Sequence, residues 1–290
     1  MKINLSLLTA LTTVSLFALS GCGEGQKSAQ QASSGSAGKA AETAQVVELK
    51  LGVVGEHNEP WESVAERLKA QGIKLTLVKF ADYTLPNRAL NDGELDLNAF
   101  QHVAYLNNDI ESNGYKLTRI ANTIIVPLGL YSHKIKNVSE IKEGDTIAIP
   151  NDPTNGGRAL KVLELAGLIK VDPAKGYVPT VRDIVENPKN IKIYEVDAGN
   201  TPSLLPDVAA AIINSNYAID NGINPRTDAI FSDAIGEVAE DNPYINIIAA
   251  REDNKDNPAF EKVIKTYQTR ETVEIIDKIS HGNEIPVFKY

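Results

Sequence analysis

The stretch from Val47 to Phe80 constrains the fold more than any other part of the chain. Val47, Leu49, Leu51 and Val53 alternate with other residues, as on a strand with one buried face. A turn over Gly55 to Glu59 leads to Pro60, which suits a first helical position. Trp61, Val64, Ala65 and Leu68 then mark one face of a helix that Gly72 ends, and Ile73, Leu75 and Leu77 begin a second strand. Strand, helix and strand in about 30 residues make a βαβ unit, which requires parallel pairing. Later segments keep the alternation. Ile120 to Ser132 reads as one long strand crossing between lobes. Thr146 to Pro150, Ile191 to Val196 and Tyr244 to Ala250 read as further strands, and Asn257 to Ile279 as helix. The class is α/β, and 290 residues leave room for two lobes.

In open α/β sheets, ligands sit at the carboxyl ends of the strands, so the loops there carry the functional reading. Phe80 to Asn87 is one such loop, with Tyr83 in it. The segment Gly93 to His102 ends in an aromatic, an amide and an imidazole (Phe100, Gln101, His102), and Tyr105 lies three residues on. These rings suit the wall of an apolar ligand chain. They would serve equally as core residues, with His102 a satisfied loop histidine.

Asn151 to Leu160 follows a buried strand and precedes a helix read from Arg158 to Gly167. Such a turn is expected to gather unpaired backbone N–H groups and the positive end of a helix dipole. Arg158 adds a planar fork that matches a carboxylate. The stretch reads as a carboxylate clamp, or else as an ordinary turn with a solvated arginine. Asn214 follows the apolar run Asp207 to Ile213, and Asn246 lies near the start of a late strand.

The net charge of −9 and the lack of a basic patch exclude a nucleic-acid partner. No Cys-x-x-Cys, His-Glu-x-x-His, phosphate loop or Gly-x-Ser-x-Gly elbow occurs, so no catalytic residue, metal site or cofactor is expected. The single cysteine, Cys22, follows a basic start at Lys2 and an apolar run from Leu5 to Leu19. That is a secretory signal, too short for a mature membrane span. Leu19-Ser20-Gly21-Cys22 is similar to a bacterial lipobox, in which the cysteine becomes the lipidated first residue. Gly23 to Gln45 is rich in Gly, Ser, Ala and Gln and reads as a flexible tether.

Six ordered motifs carry a resemblance. Phe80-Ala81-Asp82-Tyr83 with Leu85-Pro86-Asn87, and Asn98-Ala99-Phe100-Gln101-His102 with Tyr105-Leu106, are the first two. Pro127-Leu128-Gly129-Leu130-Tyr131-Ser132 and Pro150 to Asn155 leading to Gly157-Arg158-Ala159-Leu160 follow. Val185 to Asn190 and Arg251 to Asp256 complete the set. Together they resemble the methionine-binding lipoproteins of ABC importers, the NlpA family. The resemblance implies a two-lobed, type II-like periplasmic-binding-protein fold with the ligand cleft between lobes. Lobe one would comprise 46–130 plus 231–290, and lobe two 131–230, behind a signal at 1–21 and a lipidated tether at 22–45.

By the same resemblance the ligand is L-methionine, handed to an ABC permease with its ATPase by a monomer held on the membrane through lipid on Cys22. The body would face the periplasm or cell exterior. Arg158 would grip the carboxylate with Asn155 beside it, and Asn214 and Asn246 would contact the amino-acid head. Tyr83, Phe100, His102 and Tyr105 would enclose the thioether, a setting that suits sulfur–aromatic contacts. Ala104 stands where the family usually has proline, and Thr201-Pro202-Ser203 replaces a more usual Leu-Pro-Arg. These departures leave room for a methionine dipeptide, D-methionine or another apolar amino acid. A surface interaction lipoprotein, and an enzyme on the same fold, are the rival classes.

Overall fold

The computed structural model describes residues 46–233, 239 and 241–290. The secretory signal, Cys22 and the tether lie outside the described residues. Among those residues, no helix is long and apolar enough to cross a membrane.

The opening βαβ unit forms as the sequence dictates. β1 (Val47–Val54) leads through α1 (Glu59–Lys69) to β2 (Ile73–Phe80), and β1 and β2 pair in parallel with Val47 opposite Ile73 and Val54 opposite Phe80. Pro60 opens α1, whose Trp61, Val64 and Leu68 are buried, and Gly72 turns the chain back at φ +72°. α2 (Pro86–Asn91), β3 (Leu97–Asn98) and α3 (Val103–Asn113) follow, and then β4 (Leu117–Ile125). β3 pairs in parallel with β1, on the side away from β2.

The chain then enters a second sheet. β5 (Gly129–Tyr131), β6 (Thr146–Pro150), α4 (Pro153–Leu165), β7 (Lys170–Val171), β8 (Ile184–Glu186) and β9 (Lys192–Val196) are succeeded by β10 (Ala210–Ile213), α5 (Ser215–Asp220) and β11 (Ala229–Ser232). It returns to the first sheet as β12 (Ile245–Arg251), α6 (Pro258–Tyr267), α7 (Arg270–Ser280) and β13 (Ile285–Pro286). The first sheet runs β13-β4-β12-β3-β1-β2 and the second β11-β5-β10-β6-β9. β7 and β8 form a separate ribbon.

Each sheet is covered on both faces, as parallel strands require. In the first, Leu51, Leu97 and Ile248 pack with Trp61, Leu68, Phe260 and Ile276 of α1, α6 and α7, while Leu90, Leu106 and Ile247 fill the other side. In the second, Leu130, Ile147 and Ile212 pack with Leu160 and Leu163 of α4, and Ala211 and Ile213 with Tyr217 of α5. The result is the two-lobed α/β architecture.

Two sequence expectations need correction. Ile120 to Ser132 is not one strand. It breaks between Ile125 and Gly129, around Pro127, which has no N–H to give a ladder. Leu130 then pairs with Ile212 and Phe231, both in the second sheet. Gly129–Tyr131 and Ala229–Ser232 thus both belong to the second sheet. The tail divides into α6 and α7 around Thr269, whose hydroxyl caps α7.

Candidate functional site between the lobes

Strand ends deliver the side chains. Tyr83 lies beyond β2, and Phe100, His102 and Tyr105 beyond β3. On the second sheet, Asn155 and Arg158 follow β6, and Asn214 follows β10. Asn246 comes from β12 itself, where it bridges antiparallel to His102. All eight line one cavity of about 160 Å³. A single water needs only about 10–15 Å³ on that measure, so the space admits a small molecule.

The lobe-one wall is a ring cluster. Tyr83 and Phe100 stand 5.9 Å apart between centroids, Phe100 and Tyr105 5.8 Å apart edge to face, and Tyr83 and Tyr105 6.1 Å apart edge to face. Tyr105 Oη donates to the Tyr83 carbonyl at 3.0 Å, tying the two loops together. Behind the rings lies a buried amide network. Asn87 Nδ2 donates to Gln101 Oε1 and to Asp109 Oδ2, both at 2.8 Å, and Asn98 Nδ2 donates to Asn87 Oδ1 at 2.9 Å. This network fixes the turn that aims Phe100. Asn87, Asn98 and Gln101 lie inside the six motifs and Asp109 outside them, and nothing in their spacing points to a supporting role.

The lobe-two wall is polar, and here the turn differs from expectation. α4 begins at Pro153 rather than near Arg158, with Asp152 as its cap. Asp152 Oδ1 accepts from Asn155 N at 2.8 Å and from Thr154 Oγ1 at 3.0 Å. The helix N-terminus is thus served by the protein's own carboxylate and does not stand open to a ligand anion. Asn155 and Arg158 instead project from inside the helix, 2% and 6% exposed. Gly156 and Gly157 permit the close packing. A Cβ on the first would lie 2.7 Å from the Pro150 carbonyl oxygen, and on the second 2.7 Å from that of Tyr177.

Arg158 is held from three sides. Nε donates to Asp233 Oδ2 at 2.8 Å, Nη2 donates to the Val126 carbonyl at 2.7 Å, and Cζ lies 4.2 Å from the Tyr244 ring centroid. Two of its five N–H groups are thereby used. Among the described residues, Nη1 has no hydrogen-bond partner, and Nη2 keeps one N–H beyond its bond to Val126. Asp233 and Tyr244 escaped sequence reasoning. In the sequence Tyr244 reads only as the start of a strand, and Asp233 carries no signal.

Two polar atoms on the wall have no partner among the described residues. Asn214 Nδ2 donates to Asn155 Oδ1 at 2.9 Å, which leaves Asn214 Oδ1 buried and unpaired. His102 caps α3 by accepting from Tyr105 N on Nδ1 at 3.0 Å. Its proton therefore sits on Nε2, a buried donor without a well-formed hydrogen bond. Burial, and then the charge of Arg158, push this imidazole down to about 3, so it stays neutral.

The lobes also touch across the cleft. Tyr83 Oη donates to Asn216 Oδ1 at 2.6 Å and Tyr217 Oη to the Ala81 carbonyl at 3.2 Å. Asp220 accepts from the backbone N–H of Glu56 at 3.1 Å and of His57 at 3.2 Å.

This arrangement of two α/β lobes, with a shared aromatic and amide-lined cleft, has close counterparts. The profile of the NlpA lipoprotein family matches residues 49–288. The chain belongs to the NlpA lipoprotein family. The D-methionine-binding lipoprotein MetQ of Salmonella typhimurium is 40% identical over 272 residues, which span 92% of either chain. Outer membrane lipoprotein 3 of Mannheimia haemolytica is 46% identical over 225 residues, 77% of this chain and 84% of that one. The structure of a nutrient-binding protein from Burkholderia cenocepacia bound to methionine is similar at a TM-score of 0.78 and 40% identity, covering 83% of this chain and all of the other. The Salmonella and Burkholderia relatives are both named as binding proteins.

Proposed function

We propose that this NlpA lipoprotein captures methionine in its interlobe cleft and hands it to an ABC permease and its ATPase. It would act as a monomer outside the cytoplasm, held on the membrane by lipid on Cys22. The observation that carries the reading is the division of one small cavity between the lobes. Tyr83, Phe100, Tyr105, His102 and Asn246 come from lobe one, and Arg158, Asn155 and Asn214 from lobe two. A ligand that touches both walls favours the closed form by the difference in its contacts, which makes capture and closure one event. The rings accept the thioether, and the end of the Arg158 fork, helped by His102 Nε2–H, accepts the carboxylate. The name of the Salmonella relative and the ligand of the Burkholderia structure point to the same amino acid.

Calorimetric titration of the full-length chain, unfolded and refolded to strip carried ligand, tests the reading. Methionine in one or both mirror forms is expected to bind far more tightly than leucine. Heat from glycyl-methionine alone would move the function to peptide uptake, and no heat from any methionine compound would sink it.

A further inference from the structure

Two side chains at the cleft stand outside the capture described above. Glu284, in the turn between α7 and β13, lines the cavity and accepts one long hydrogen bond, from Ser215 Oγ at 3.5 Å. Burial pushes its carboxyl up to about 7, so ionising it there costs stability. Tyr244 is the other. It is not among the residues that line the cavity, yet its ring touches Arg158, which is.

Tyr244 is rooted in lobe one. It directly precedes β12, whose Ile245 pairs with Ile125, and the neighbouring Pro243 carbonyl accepts from Ala104 N of α3 at 2.9 Å. Its ring packs on the lobe-one core around Leu106, Ile125 and Ile247, and meets the His102 ring edge to face at 5.5 Å. The same ring also meets lobe two. Arg158 Cζ lies 4.2 Å from its centroid, and the Tyr177 ring stands edge to face at 6.0 Å. Those two lobe-two residues are kept together because the chain at Tyr177 and Val178 lies against α4 at Gly157. A Cβ on Gly157 would come within 2.7 Å of the Tyr177 carbonyl oxygen and 2.9 Å of Val178 Cα. Burial pushes the Tyr244 phenol up to about 12, so the ring is neutral, and among the described residues its hydroxyl has no hydrogen-bond partner. What Tyr244 offers lobe two is therefore a π face, set on a guanidinium that is itself buried.

We infer that Tyr244 is a positioning residue for closure: carried on lobe one, its ring seats on the Arg158 guanidinium of lobe two as the lobes meet, and so latches the closed form. This inference rests on the capture of methionine proposed above. Asp233 and Val126 hold the N–H groups of the fork, and the Tyr244 ring covers its face. Because the ring stands outside the cavity lining, it acts through Arg158 rather than on the ligand. A contact made only between closed lobes slows opening and release and leaves the first encounter unchanged.

The test measures release of radiolabelled methionine from the full-length chain into an unlabelled chase, and affinity by calorimetry; the two together give the capture rate. Tyr244→Phe keeps the π face and should hold both rates within about twofold. Tyr244→Leu should release about 3- to 30-fold faster, with capture within about twofold. A trifluorinated phenylalanine at position 244 keeps the shape of the ring but drains its face of negative charge. It should release at least about threefold faster than Tyr244→Phe, a difference that packing alone would not produce. Equal release from the fluorinated and plain rings, or a loss in Tyr244→Leu that falls on capture rather than release, would overturn this inference alone. An unmodified chain that binds no methionine would overturn the function proposed above and this inference with it.

Discussion

The two walls of the cleft are built by different means. The lobe-one wall is rings set in loops and braced by a buried amide network of Asn87, Asn98 and Gln101. The lobe-two wall is one helix turn, fixed by the Asp152 cap and two glycines, that presents an amide and a guanidinium. Rings reward the shape and polarisability of a side chain, whereas a charged fork rewards a group that every amino acid has. The walls should therefore fail differently: damage to lobe two lowers affinity for all amino acids alike, and damage to lobe one erodes the choice between them.

Arg158→Ala should do most harm, about 2–5 kcal/mol of binding, with an equal penalty for methionine and for poorer ligands. Calorimetry across a ligand series checks this, and a loss confined to methionine would break the contrast between walls. Glu284 comes next. Its carboxyl is raised in the folded chain, so both states are neutral at low pH and no difference arises there. As pH rises from about 4.5 to about 7 the unfolded chain ionises first and stability is lost. Glu284→Gln should therefore stabilise the ligand-free chain by roughly 2–3 kcal/mol at pH 8 and by little at pH 4, as denaturant titration would show.

Phe100→Ala should cost about 1–3 kcal/mol for methionine and much less for alanine, narrowing the preference. A uniform loss would mean that the ring only shapes the fold. The smallest effect belongs to Asp220→Ala, about 1 kcal/mol, expressed in stopped-flow traces as faster release with capture unchanged.

The opening βαβ unit was legible because its period changes from two to helical and back within a short span, and Gly72 marks the return. The loops at the strand ends were legible for a topological reason, since a parallel sheet sends its carboxyl ends to one side. The start of α4 was written in Asp152-Pro153, a cap followed by a first-turn proline, ahead of Arg158. What held Arg158 was not legible. Val126 and Asp233 reach it from the two segments that cross between the lobes, 32 and 75 residues distant along the chain. The crossing points depend on which sheet claims Leu130 and Phe231, and an apolar residue fits either.

The Asp220 contact has an evolutionary consequence. It grips the main-chain N–H groups of Glu56 and His57 and leaves their side chains out of the bond. Any residue except proline supplies the same group, so positions 56 and 57 are free to diverge while the lobes keep meeting at the same point. Gly55 has no such freedom, because its φ is +86° and a Cβ there would lie 2.5 Å from Asp220 Oδ2. His57 and Asn58, just beyond the gripped amides, line the cavity. Descendants of this chain could thus explore new ligands through this loop without having to relearn how to close.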